Sequence, residues 1–405
     1  MPAESRYCEL SDLHAAAGPL TDIRRHLHQH PELGYEEFAT SDLLAQLLAD
    51  AGYAITRGVG GTGLVATLRE GDGRRSIGVR ADMDALPIQE AGDRPYASSI
   101  PGKMHACGHD GHSTMLIGAA RELARTRRFN GTVHLIFQPA EEIGTGSGAQ
   151  RMIEDGLFER FPCDAIFGLH NHPGVAEGTL MFRAGPFMAA SDTVTVTIQG
   201  RGGHAARPQH TIDPVVIASS LVMALQTIVS RNVGPTDTAV LTVGALNAGH
   251  AANVIPDTAV LQMSVRSFSE DIRALLEKRI RALIVAHVEG YGGTVAIDYA
   301  RGYPVVVNSE AETAFAARVA AELVGAERVI APFAQITGSE DFAYYLQHRP
   351  GCFLRIGNGV DAVGLHNPHY DFNDANLNVG AAFWTRLVER YLNAEASPGA
   401  LEHAA

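Results

Sequence analysis

Short, largely apolar runs recur along much of the chain, at Leu64–Leu68, Ser76–Val79, Val133–Phe137 and Ala165–Leu169, each closed by turn residues. Segments of helical periodicity, such as His112–Ala124 and Ala149–Asp155, separate them. A strand that is apolar on both faces needs cover on both faces, and parallel neighbours need a crossover between them. The pattern therefore predicts an α/β fold built on a largely parallel, doubly covered sheet. Two helices are expected ahead of it, near residues 12–30 and over Glu36–Ala51, the second stopped by Gly52.

The rhythm changes near residue 190. Asp192–Ile198 alternates strictly, with Val194, Val196 and Ile198 against Thr193, Thr195 and Thr197, and Thr258–Arg266 does the same. With helices over Ile212–Ser230 and from Ser269 to about Glu289, and strands at Thr238–Val243 and Thr294–Tyr299, the order is β-α-β-β-α-β. That is the ferredoxin-like α+β arrangement. After residue 301 the α/β rhythm returns. The organisation expected is one α/β domain in two parts, 1–188 and 302–405, interrupted by an insert at 189–301.

A formal charge of −13, from 45 acidic against 32 basic residues, argues against a nucleic-acid partner, which requires a basic face. No basic, apolar leader is visible, and no 18-residue apolar run is expected, so no membrane partner is either. The four cysteines lie far apart without a CxxC pair and read as free thiols of a cytoplasmic protein.

Met104–His112, MHACGHDGH, packs three histidines, a cysteine and an aspartate into nine residues. Such a density of soft and borderline ligands suggests a metal site. Further candidates stand just past the ends of predicted strands, where open α/β sheets place their active sites. They are Asp82 and Asp84, Glu141 and Glu142, His170 and His172, and, near the C-terminus, His366. Two adjacent glutamates at a strand end diverge, which suits one ligand and one general base for metal-assisted hydrolysis.

The segments RRHLHQHPELGYEE (24–37), GVRADMDALPI (78–88), MHACGHDGH (104–112), FQPAEEIGTGS (137–147), GLHNHP (168–173), GRGGHAARPQHTIDP (200–214), NVIPD (253–257), GSEDF (338–342) and LHNPHYDFND (365–374) resemble the M20 metallopeptidase family. Within it they are similar to the amidohydrolase branch of hippurate, N-acyl-amino-acid and auxin-conjugate hydrolases. The resemblance covers about residues 24–380 in one order. It implies a zinc-exopeptidase-like catalytic domain whose inserted domain serves as lid and as the interface of a homodimer or higher homo-oligomer.

The resemblance also implies roles. Cys107, His109, Glu142, His170 and His366 would bind two divalent metal ions, with one ligand of the 107–109 segment bridging. Glu141 would be the general base, and Asp82 would orient a ligand. His204 would stabilise the oxyanion. Asn253 and Arg266 would hold the substrate's carboxylate or carbonyl, with a surface ion pair as the competing role for Arg266. A cysteine in the donor set favours Zn, Mn, Co or Ni over Mg or Ca. The activity expected is hydrolysis of a small N-acyl amino acid, benzoyl first among acyl groups, to a carboxylic acid and a free amino acid. Rival expectations are a dipeptidase or aminoacylase of the same family, an amidase using Cys107 as nucleophile with His109 or His112, and a non-catalytic metal-binding protein.

Overall fold

The computed structural model describes residues 7–394. They divide into two compact units. The first comprises the described residues up to Gly185, Asn308–Ala334 and the described residues from Tyr344 onward; the second is Pro186–Val307 with Gln335–Ala343. The nine-residue return of Gln335–Ala343 to the second unit has no counterpart in a linear division of the sequence.

An eight-stranded sheet organises the first unit. Its strands lie in the order Ala54–Arg57, Leu64–Glu70, Gly131–Gln138, Ser76–Asp82, Ala165–His172, Gly351–Gly357, Leu180–Met181 and Val329–Ile330. The four central strands, from Gly131–Gln138 to Gly351–Gly357, are parallel to one another, while antiparallel pairs flank them. Ile77, Val79, Leu135, Phe167 and Leu354 are fully buried, as strands apolar on both faces must be. Helices Ala17–Gln29, His109–Thr126 and Asn376–Leu392 belong to this unit. The last two approach closely because their contact is lined by small residues: a Cβ added to Gly118 would lie 2.7 Å from that of Ala381.

The second unit is ferredoxin-like. Its antiparallel sheet runs Ala239–Ala248, Thr258–Ser267, Ala190–Gln199, Thr294–Arg301. Val194, Val196, Ile198, Leu261, Met263 and Val265 are buried with apolar residues of helices Pro214–Asn232 and Glu270–Gly290. Both helices start on side-chain caps: Asp213 accepts from the amide of Val215 at 2.9 Å, and Ser269 from that of Ile272 at 3.2 Å.

The expectation that no span long and apolar enough to cross a membrane occurs is corrected at Pro214–Asn232. Within these 19 residues a window of 18 reaches a mean hydropathy of 1.5. Serines and alanines interrupt the run of large apolar residues without lowering the mean much, so a search for an unbroken run passes over it. One face, with Ile217, Leu221, Leu225 and Ile228, is in the unit's core, while Val215, Val216 and Met223 are exposed.

Candidate functional site

The parallel strands of the first unit end on one edge, and the chain there is shaped to present donors. Gly108, in the left-handed region at φ 92°, precedes helix His109–Thr126. A Cβ at Gly108 would lie 2.3 Å from Asn171 Nδ2 and 2.5 Å from Tyr370 Oη, so glycine is required by space as well as by conformation. Asn171 Nδ2 donates to the Cys107 carbonyl at 2.6 Å, and the Tyr370 hydroxyl donates to Asn171 Oδ1 at 2.9 Å. The strand Gly131–Gln138 runs into Pro139 and then Ala140, whose φ of 50° costs a non-glycine residue on the order of 1–3 kcal/mol. That turn leads directly into Glu141 and Glu142. His366 stands in the left-handed region too, at φ 61°, its amide donating to the Ala106 carbonyl at 2.8 Å.

These segments bring together Cys107, His109, Glu141, Glu142, His170 and His366. Ligand atoms of Cys107, His109 and His170 lie within 4.8 Å of one another, as do those of Cys107, Glu142 and His366, and those of His109, Glu141 and Glu142. Cys107 Sγ is 3.2 Å from His170 Nε2, and Glu142 Oε1 is 3.2 Å from His366 Nε2. All are buried or partly buried except His366, which is half-exposed.

The imidazoles are aimed by what holds their far nitrogens. His109 Nδ1 bonds Asp84 at 3.1 Å, and His170 Nδ1 donates to the Asn171 carbonyl at 2.7 Å. Each therefore keeps Nε2 for the centre, the arrangement that orients metal-binding histidines. Among the described residues His109 Nε2 is buried without a hydrogen-bond partner, 4.0 Å from Glu142 Oε1. His112 differs, since both of its nitrogens are engaged: Nδ1 with Asp82 at 2.7 Å, Nε2 with the amide of Asn171 at 3.0 Å.

Carboxylates dominate the local field. Burial works to lower the His109 imidazole, yet Asp82, Asp84 and Glu142 outweigh it and hold it up at about 10. Burial, together with Glu142 and Glu141, pushes the Cys107 thiol well above its ordinary range. Burial also works to raise Asp82, but His109, Arg80 and His112 hold it well below the carboxylate range. An orphaned buried imidazole nitrogen within a thiol, imidazole and carboxylate donor set fits divalent metal, whose charge would displace these protons.

Asp82 bonds His112 and Arg80, each at 2.7 Å, and stands 3.8 Å from His109 Nε2. The direct bond to His109 comes from Asp84, which also accepts from the amide of Glu142 at 2.9 Å. Asp84 and Asn171 stand in segments whose chemistry was legible, ADMDAL and HNH, but nothing in the spacing assigned them a task. His204, Asn253 and Arg266 lie in the second unit. His204 and Val254 pair across a two-stranded ribbon, with Asn253 beside them, its carbonyl accepting from the amide of Ala205 at 3.1 Å. Arg266 donates to Ser339 Oγ at 3.1 Å, so a hydrogen bond holds it where an ion pair was the expected competitor.

The family model of peptidase family M20/M25/M40 matches residues 78–390, and the chain belongs to that family. It is 42% identical over 375 residues to a hippurate hydrolase of Campylobacter jejuni, covering 93% of this chain and 97% of that protein. It is also 42% identical to an N-acetyl-L-cysteine deacetylase of Bacillus subtilis, covering 92% of this chain and 88% of the relative. Among solved structures, a dinuclear metal-binding peptidase of family M20 from Bacillus subtilis superimposes with a TM-score of 0.80 at 33% identity, covering 93% of this chain and 98% of its own.

Proposed function

We propose that this chain is a metal-dependent amidohydrolase that splits the amide bond of N-acyl amino acids into a carboxylic acid and a free amino acid. The observation that carries this function is a five-residue donor set with one further carboxylate, Glu141, whose oxygen lies within 4.8 Å of the ligand atoms of His109 and Glu142. Relatives of 42% identity over almost the whole chain bear the names hippurate hydrolase and N-acetyl-L-cysteine deacetylase.

Cys107, His109, Glu142, His170 and His366 would hold two divalent ions, with Zn, Mn, Co or Ni suited to a site containing a thiolate. Ions bound there supply Lewis acidity toward the amide carbonyl and lower the pKa of water. Glu141 then takes the proton of the attacking water and returns it to the leaving nitrogen, which cannot depart as an amide anion. Asp84 and the Asn171 carbonyl engage Nδ1 of His109 and of His170, which leaves each Nε2 for the ions they would hold. Asp82 steadies His112 and Arg80 behind them. His204 accepts the amide of Ala206 at Nδ1, which leaves its Nε2–H free to donate to a developing oxyanion. Asn253 and Arg266 would receive the substrate's carbonyl or carboxylate.

A cysteine nucleophile fits less well. A thiol whose proton is held by burial and three carboxylates forms little thiolate, and both nitrogens of His112 are otherwise engaged. We further propose a homodimer through the second unit, supported by the exposed Val215, Val216 and Met223 of one helix and by the edge of strand Ala239–Ala248, unpaired among the described residues. The cytoplasm is the compartment we propose, consistent with four free, buried cysteines; cell fractionation that found the protein outside it would refute that assignment.

The test is release of free amino acid from hippurate, N-acetyl-methionine, an indoleacetyl amino acid and a dipeptide, before and after chelation and metal add-back. Hydrolysis of the N-acyl compounds that stops on chelation and returns with Mn or Zn is expected, and cleavage of the dipeptide alone would favour the peptidase rival. Glu141→Gln should keep its metal content and lose at least about a hundredfold in turnover. Undiminished turnover would remove Glu141 from the role of base.

A further inference from the structure

The N-terminal motif RRHLHQHPELGYEE carries residues that the proposed chemistry does not use, and its last glutamate is the most unusual of them. Glu37 is fully buried, and among the described residues no cationic side chain pairs with its carboxylate. Burial of an unpaired carboxylate is unfavourable, so a compensating contact is required. It has two. Glu37 Oε1 accepts from the amide of Ala140 at 2.8 Å, and Oε2 accepts from the Thr62 hydroxyl at 2.5 Å. Ala140 is the residue held in the left-handed region immediately before Glu141.

The surroundings of that turn point the same way. The Ala140 carbonyl accepts from the amide of Gly148 at 3.1 Å, so both polar groups of the strained residue are tied. A Cβ on Gly34 would come within 3.1 Å of Ala140 and 2.7 Å of the Ile143 side chain. The Tyr35 hydroxyl donates to the Gly146 carbonyl at 2.5 Å. Residues 34–37 are thus laid directly against 140–146. An alanine left to itself prefers negative φ, and a rotation there would swing the peptide that carries Glu141.

We propose that Glu37 is a positioning residue for Glu141, acting through the Ala140 peptide, on the reading of Glu141 as general base. Its carboxylate holds Ala140 in the left-handed conformation and so fixes the direction in which Glu141 leaves the strand. Thr62 holds the carboxylate in turn. Glu37 itself touches neither substrate nor ligand.

The experiment is a double-mutant cycle on the full-length, metal-loaded enzyme with hippurate or whichever N-acyl substrate it turns over best. Glu37→Gln should lower kcat about ten- to a hundredfold, the scale for a misdirected catalytic group, with KM, metal content and melting profile little changed. In a Glu141→Gln background the same substitution should cost no further turnover, because there is no base left to misdirect. Adding Ala140→Gly to Glu37→Gln should recover several-fold of the loss, since glycine adopts positive φ without penalty.

Thr62→Val provides the second arm should Glu37→Gln fail to fold. It should produce a smaller kcat loss that likewise vanishes in the Glu141→Gln background. Full turnover in Glu37→Gln and Thr62→Val, or losses that multiply undiminished onto Glu141→Gln, would overturn the positioning role. Full turnover in Glu141→Gln alone would instead overturn the general-base reading, and the two failures are therefore distinguishable.

Discussion

At the scale of single residues, the site is built in pairs, each donor carried by a group that faces away from the chemistry. Asp84 is the most economical example, since one carboxylate orients His109 and also receives the amide of Glu142. Asp84→Asn keeps the shape but disturbs both contacts, because an amide offers one acceptor and one donor where two acceptors stood. The expected outcome is metal affinity weakened by about ten- to a hundredfold, read as a dissociation constant in competition with a chromophoric chelator. Unchanged affinity would mean that the Asp84 contact is incidental.

At the scale of elements, the terminal helix Asn376–Leu392 brings Glu389 into the core, where its Oε2 accepts the amide of Cys8 at 2.6 Å. Burial pushes its carboxyl up to about 7 against an ordinary 4.5, with the Cys8 amide and Arg128 opposing. The folded protein therefore binds this proton more tightly than the unfolded chain does. Stability from this group is complete below about pH 4.5, declines as the pH rises toward 7, and is flat above. The difference amounts to on the order of 3 kcal/mol. Glu389→Gln should match the parent near pH 4 and exceed it at pH 8 in urea-denaturation midpoints. A constant offset between the two proteins across that range would show that Glu389 is not the titrating group. Other elements illustrate how helix ends are set: Ser269 caps its helix at the start read from the chain, whereas Asp213 caps a helix that begins at Pro214 rather than at the expected Ile212.

At the scale of the whole molecule, two cores are present, and the surface left over on the second is informative. Met223 is 71% exposed on a helix whose opposite face is buried. With a dimer through that unit, sedimentation velocity should give twice the 43.1 kDa chain mass, and Met223→Glu should shift the distribution toward monomer, since a buried, unpaired charge at an interface is strongly unfavourable. A parent protein sedimenting as a monomer would refute the dimer.

The alternation of apolar strands and helices, the β-α-β-β-α-β insert and the convergence of Cys107, His109, Glu141, Glu142, His170 and His366 were all legible in the sequence. Local periodicity encodes the first two; the donors were marked by the ligand density of residues 104–112, by the strand-end positions of Glu141, Glu142 and His170, and by the family resemblance. What the sequence by itself could not determine was everything decided by partners distant along the chain. Asp84 rather than Asp82 bonds His109; His112 spends both nitrogens on Asp82 and Asn171; Glu37 reaches Ala140 across 103 positions. The return of Gln335–Ala343 to the second unit belongs here too. A residue's type states which hydrogen bonds it can make, but only the folded chain brings one particular donor within 3 Å of one particular acceptor.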